Sequence, residues 1–72
     1  AALAVMTPLS SNTFRVDFEN LSLEIPNEKT DAGVLAGVYA WNGKDHQKVV
    51  FENQFNNQYR LKMLHSGHSL RA

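Results

Sequence analysis

The sequence contains no cysteine, and that absence removes two ways of stabilising a small domain. With no Cys among 72 residues, disulfides and the zinc sites built on Cys ligands are excluded. A chain below roughly 70–80 residues usually needs a disulfide, a bound metal or a partner chain to stabilise its core. We therefore expect further sequence, or partner chains such as a homo-oligomer, to complete the fold. The compartment stays open between the cytoplasm and secretion without disulfides.

Net charge and long apolar runs are lacking as well. Seven Lys and Arg residues balance seven Asp and Glu residues, so the formal net charge is zero. Nucleic acids and anionic membrane surfaces attract proteins with a basic excess, and we expect neither as a partner. No apolar run approaches the roughly 20 residues of a membrane span, so we expect no membrane insertion.

The chain does contain a series of short segments with the apolar–polar alternation or the composition of β-strands. They cover residues 14–18, 21–25, 34–41, 48–52 and 59–63. For residues 34–41 a helix stays open, because Ala and Leu are good helix formers, although Gly37 with Val, Tyr and Trp around it favours an extended segment. In the second segment Leu21, Leu23 and Ile25 alternate with Ser22 and Glu24, which predicts one buried face. Residues 1–13 show no alternation and are predicted to be an N-terminal arm. The pattern predicts an all-β region over residues 14–72.

Two of these segments share one pattern at a fixed spacing. Phe14-Arg15-Val16-Asp17-Phe18 and Tyr59-Arg60-Leu61-Lys62-Met63 both follow aromatic-Arg-apolar-charged-apolar, 45 residues apart. Self-similarity at such a spacing indicates a fold built from repeats. Inside this period, Trp41 is followed by the turn dipeptide Asn42-Gly43 and a new extended segment, which is a hairpin signal.

These segments together resemble the ricin B-type β-trefoil lectins. Phe14-Arg15-Val16 and Tyr59-Arg60-Leu61 are similar to the opening of that family's repeat, and Leu23-Glu24-Ile25 is similar to its L-D-V strand. The run from Trp41 to Val49 resembles W-x-x-G-x-x-N-Q-x-W, and the run from His65 to Leu70 resembles N-S-G-x-x-L. The resemblance covers about one and a half repeats, from Phe14 to Ala72. It implies a β-trefoil-like fold that is incomplete in this chain, with one full repeat and the start of a second.

The resemblance also implies a function, that of a non-catalytic lectin module recognising galactose- or GalNAc-type glycans. The residues that match the family's sugar site are Glu24, Tyr39, Trp41, His46 and Gln47. A carboxylate accepts hydrogen bonds from two hydroxyl groups, and an aromatic face packs on the apolar face of a pyranose. Trp41 and Glu24 are therefore the expected main contacts. Glu24, His46 and Val49 depart from the family's Asp, Asn and Trp, so a live site and a decayed site are both open.

The alternative is a β-trefoil scaffold for protein interaction or protease inhibition, with contacts made by the loops at residues 26–33 and 53–58. No nucleophile, zinc-protease or phosphate-loop motif is present, so we expect no enzyme and no cofactor. His65 and His68 flank Ser66-Gly67 and are interpreted as turn residues, not as metal ligands. Asn20-Leu21-Ser22 is a glycosylation sequon that matters only in a secreted protein.

Overall fold

A computed structural model of the chain describes residues 3–54 and 58–70, and within these ranges the protein consists of strands and two short 3-10 turns. The strands are β1 (Ala4–Pro8), β2 (Thr13–Phe18), β3 (Leu21–Glu24), β4 (Gly37–Tyr39), β5 (Val49–Asn53) and β6 (Tyr59–Met63). The 3-10 turns are Pro26–Glu28 and Asp45–Gln47. The all-β prediction is confirmed. Among the described residues no helix has the length and apolar character needed to cross a membrane.

Four strands lie side by side in the order β1-β2-β5-β6, each antiparallel to its neighbour. β1 pairs with β2 over five residues, and β5 pairs with β6 over five residues. β2 meets β5 through only two pairs, Thr13↔Val50 and Phe14↔Val49. The β3–β4 hairpin extends from the far end of β2, where Phe18 pairs with Leu21. β2 therefore has β1 along one edge and shares its other edge between β3 and β5.

The 45-residue repeat is present in the backbone pairing. The pair Ala4↔Phe18 recurs as Val49↔Met63, and Pro8↔Phe14 recurs as Asn53↔Tyr59. The segment predicted to be an N-terminal arm therefore contains a strand, β1, which is the repeat equivalent of β5. Sequence alternation did not reveal β1 because all five of its residues are exposed, so no buried face leaves a pattern.

The core is a small cluster between β3, β5 and β6. Ile25, Val49 and Met63 pack together, with four half-buried side chains against them, Val16, Leu23, Val34 and Leu70. The predicted buried face of β3 is wrong in part, because Leu21 is exposed while Ser22 and Glu24 are buried. Polar groups of residues 40–47 cover that face and supply hydrogen bonds to Glu24, which makes burial of the carboxylate possible.

Gly43 has a φ of +80°, in the region that favours glycine, but the Asn42-Gly43 dipeptide does not join a hairpin. β4 pairs with β3, whereas β5 pairs with β2 and β6. The hairpin interpretation of residues 41–52 is therefore wrong. Its physical reason is the 3-10 turn Asp45–Gln47, which carries two buried side chains under β3 and redirects the chain.

Candidate functional site

A buried amide, that of Gln47, lies at the centre of the site. Its Nε2 donates to the carbonyl oxygen of Ala40 at 2.9 Å and to Oε1 of Glu24 at 3.4 Å. Its Oε1 accepts a hydrogen bond from the backbone N–H of Asn42 at 2.7 Å. Gln47 therefore ties the segment after β4 to the end of β3, and both of its polar atoms have partners.

The carboxylate of Glu24 is held on one oxygen. Oε1 lies 3.2 Å from Nε2 of His46 and accepts from Gln47 as well, while Oε2 is used by neither side chain. The backbone N–H of Ile25 donates to the carbonyl oxygen of His46 at 3.1 Å, which joins the two segments a second time. Three of the five predicted site residues thus form one hydrogen-bonded cluster, Glu24 with His46 and Gln47.

The other ring nitrogen of His46 points away from this cluster. Nδ1 is buried without a hydrogen-bond partner among the described residues, and Oε1 of Glu28 lies 3.8 Å from it. The ring of His65 stands edge-on with a centroid distance of 6.3 Å, and its Nε2 donates to the Lys29 carbonyl at 2.7 Å. Within residues 3–54 and 58–70, no three His, Cys, Asp or Glu side chains are grouped to hold a metal ion.

Tyr39 is the open aromatic side chain of the site. It lies on β4 opposite Ser22 and is 61% exposed. Glu24 lies on the same face, opposite Gly37, and Cγ of Pro26 lies 3.7 Å from where a Cβ of Gly37 would be. Diagonal neighbours of this kind lie about 7–8 Å apart between Cα atoms, within reach of an aromatic side chain. An exposed ring therefore lies on the same face of the sheet as a fixed carboxylate whose side chain is only 11% exposed.

Trp41 has a different environment. The guanidinium carbon of Arg15 lies 4.1 Å from the centroid of its ring, a cation–π contact. Two hydrogen bonds, at 2.9 and 3.2 Å, hold the Arg15 guanidinium against Asp17, and the hydroxyl of Ser22 also donates to Asp17. One face of Trp41 is therefore covered. The role of Arg15 was missed from the sequence, although the aromatic-Arg-aliphatic pattern contained it.

The carboxyl group of Asp17 makes stability depend on pH. Its hydrogen bond with Ser22, together with Arg15, lowers the pKa of Asp17 below the ordinary value of 3.8, against the opposing effect of burial. A carboxyl group whose pKa is lowered by folding stabilises the folded state fully at pH values well above 3.8. That stabilisation is lost as the pH falls through the folded-state pKa. We expect Asp17→Asn to destabilise the protein at pH 7 and to weaken its acid sensitivity below that pH.

Denaturant unfolding at neutral and acidic pH measures this effect. Asp31→Asn is the control, because Asp31 is exposed in a loop. Glu52, whose pKa is lowered chiefly by a hydrogen bond from Lys62, remains in both variants and sets the residual acid sensitivity. The same change of stability with pH in both variants would rule out Asp17 as the acid-sensitive group.

Comparison with known proteins supports the fold and leaves the family open. No family model matches the chain, and no curated protein matches it. Its structure is similar to the crystal structure of a designed 3-fold symmetric protein, ThreeFoil, with a TM-score of 0.82 and 20% sequence identity over 92% of this chain. The chain spans about half of ThreeFoil, covering 49% of its length. The protein therefore has an all-β, β-trefoil-like fold that is incomplete within this chain.

Proposed function

We propose that the chain is a non-catalytic carbohydrate-binding module and that its ligand docks on the face shared by β3 and β4. The observation that carries this proposal is the exposed ring of Tyr39 beside the carboxylate of Glu24. The sugar class, galactose- or GalNAc-type glycans, follows from the resemblance to ricin B-type lectins.

Each group of the site has a role suited to a sugar. The ring of Tyr39 packs on the apolar C–H face of a pyranose. Oε2 of Glu24 accepts hydrogen bonds from ring hydroxyls, which a charged acceptor makes strong. His46 and Gln47 hold Oε1, so the carboxylate is oriented before the ligand arrives. A shallow single site of this kind binds weakly, and several linked sites raise the overall avidity.

In this proposal Tyr39 takes the role that sequence analysis assigned to Trp41. The guanidinium of Arg15 occupies one face of Trp41, whereas Tyr39 has no such cation–π contact among the described residues and is 61% exposed. Trp41 then supports the site by fixing the turn after β4, together with the bond between Asn42 and Gln47.

The test is a titration with free galactose and GalNAc, which reports single-site affinity. Tyr39→Ala is expected to weaken binding about tenfold, because loss of an aromatic contact of about 1.5 kcal/mol corresponds to that factor. Tyr59→Ala is the matched control, since Tyr59 is equally exposed on β6 and remote from Glu24 along the sheet. Equal losses of sugar affinity in both variants would show that the sugar does not bind at the face shared by β3 and β4. If the unmodified chain does not bind millimolar sugar, the proposal is wrong.

A second candidate function is a scaffold for protein interaction or protease inhibition with a decayed sugar site. The observation that favours it is the exposed turn Pro26–Glu28, where Asn27 and Glu28 have φ values of 56° and 54°. Non-glycine residues held in this region cost about 1–3 kcal/mol and cluster at functional loops. The loop at residues 53–58, proposed as the second contact, contains residues 55–57, which lie outside the described ranges.

One comparison separates the two candidates. Binding of a protein partner is expected to fall in Glu28→Ala and to persist in Tyr39→Ala. Binding of a glycan is expected to show the opposite order.

A further inference from the structure

The two outer strands of the four-strand row lack the neighbours that their repeat equivalents have. We call β1–β2 and β5–β6 the repeated pairs, and the contact Thr13↔Val50 with Phe14↔Val49 the joint between them. When Thr13 and Phe14 are shifted by 45 residues, one half of a joint falls on Gln58, just before β6, and on Tyr59, the first residue of β6. The other half falls on Val5 and Ala4 in β1. Among the described residues neither half has a partner strand.

Side chains at the two unfilled half-joints are more exposed than their equivalents in the formed joint. Val50 in the formed joint is 8% exposed, whereas Val5 at the equivalent position of β1 is 59% exposed. In the same way Phe14 is half-buried and its equivalent Tyr59 is exposed. Apolar side chains at both unfilled half-joints therefore face solvent.

The size of the opening follows from the comparison with ThreeFoil. Because 92% of these 72 residues equals 49% of that chain, ThreeFoil has about 135 residues, or three periods of 45. A three-fold ring of this kind contains three repeated pairs connected by three joints. The chain described here supplies two repeated pairs and one joint. The opening therefore has room for one repeated pair, which would make two further joints.

We propose that a repeated pair from a second copy of this chain fills the opening between β1 and β6. The two repeated pairs have the same register over five residues, so either pair of the second copy presents the correct strands. To insert a pair, the second copy must open its own joint, which has two residue pairs and also separates Ile25 from Val49 and Met63. The inserted pair then forms two joints in the ring, and these replace the one that was opened. This proposal concerns association and is independent of sugar binding.

One contact between copies is the same whichever repeated pair is inserted. Applying the joint register to β6 puts Tyr59 of one copy opposite Ala4 of another, whichever pair is inserted. Within one chain these residues lie on the outer strands of the row, three strand spacings or about 14 Å apart across the sheet. The registers also place them toward opposite ends of the strands, because Ala4 pairs with Phe18 and Tyr59 pairs with Asn53. A disulfide needs Cα atoms within about 7 Å. If instead a longer form of the same polypeptide filled the opening, Ala4 would meet a residue outside this sequence.

The experiment uses the natural absence of cysteine. The double variant Ala4→Cys with Tyr59→Cys is oxidised at protein concentrations up to about 1 mM and examined on a non-reducing gel. We expect covalent species of at least twice the 8.1 kDa chain mass. The control replaces Tyr59→Cys by Leu61→Cys, which shifts the second thiol by two residues along the same face, and it should remain largely uncrosslinked.

Sedimentation equilibrium of the unmodified chain provides a second measurement that needs no substitution. We expect the average mass to rise from one chain toward two or more with concentration, up to about 1 mM. A folded monomer over that whole range would overturn the proposal, and so would equal cross-linking of both double variants. Both results are obtained without sugar, so failure here is distinct from failure of the carbohydrate proposal.

Discussion

Replacement of Gln47 by leucine is expected to lower the free energy of unfolding by about 3 kcal/mol, because each buried polar group left unpaired costs about 1–3 kcal/mol. Leucine approximates the volume of glutamine but makes none of its hydrogen bonds. The carbonyl of Ala40 and the N–H of Asn42 would lose their partners, and Glu24 would lose one of two. The loss is a large fraction of the stability of a small domain. Urea unfolding at neutral pH measures it as a lower midpoint with an unchanged slope.

Gln54→Leu is the matched control for this prediction. Gln54 is exposed, and its side-chain amide donates to Glu52 at 3.0 Å. Its replacement is expected to change stability by less than about 0.5 kcal/mol. Similar effects of the two substitutions would mean that the buried amide does not hold residues 40–47 against β3.

Met63→Ala tests the apolar core and is expected to cost about 2–5 kcal/mol, the range for truncating a buried large side chain. Met63 is 2% exposed and packs against Ile25 and Val49. In a domain of this size 1 kcal/mol corresponds to about 4–8 °C, so the melting temperature should fall by about 10 °C or more.

The only other methionine of the chain provides the control. Met6 lies in β1 and is 42% exposed. Met6→Ala is expected to lower stability by much less than Met63→Ala in the same melting experiment. Equal losses would show that the cluster around Met63 is not the centre of the core.

Sequence analysis predicted the strands that show apolar–polar alternation, a repeated pattern or strand-like composition. β2 and β6 share the 45-residue signature, and β5 follows a recognisable glycine turn. β1 was missed because exposure on every residue leaves no alternation to detect. Its position is nevertheless a direct consequence of the period, since Ala4 and Val49 occupy equivalent places in the two repeated pairs.

The hydrogen-bonded cluster of the candidate site was predictable in composition but not in geometry. Family resemblance selected Glu24, His46 and Gln47, and the structure brings these three together through two hydrogen bonds to one carboxylate oxygen. The relative openness of Tyr39 and Trp41 depends on the Arg15 side chain, which comes from another strand. Such a contact is created by tertiary packing, so spacing along the chain does not reveal which aromatic ring stays accessible.

The unequal lengths of the two turns that follow the repeated pairs restrict how this fold tolerates insertions. After β2 the chain folds back so that Ser22 lies opposite Asp17. After β6 it folds back so that Ser69 lies opposite Lys62, the residue equivalent to Asp17. Ser69 is two residues further along the chain than the 45-residue period would place the partner of Lys62. Side chains alternate between faces, so an even change keeps Leu23 and Leu70 against the core, as observed. An odd change would send the leucine to solvent unless a bulge absorbed it. Length variation at these turns should therefore occur in steps of two, a parity rule that homologous chains would inherit.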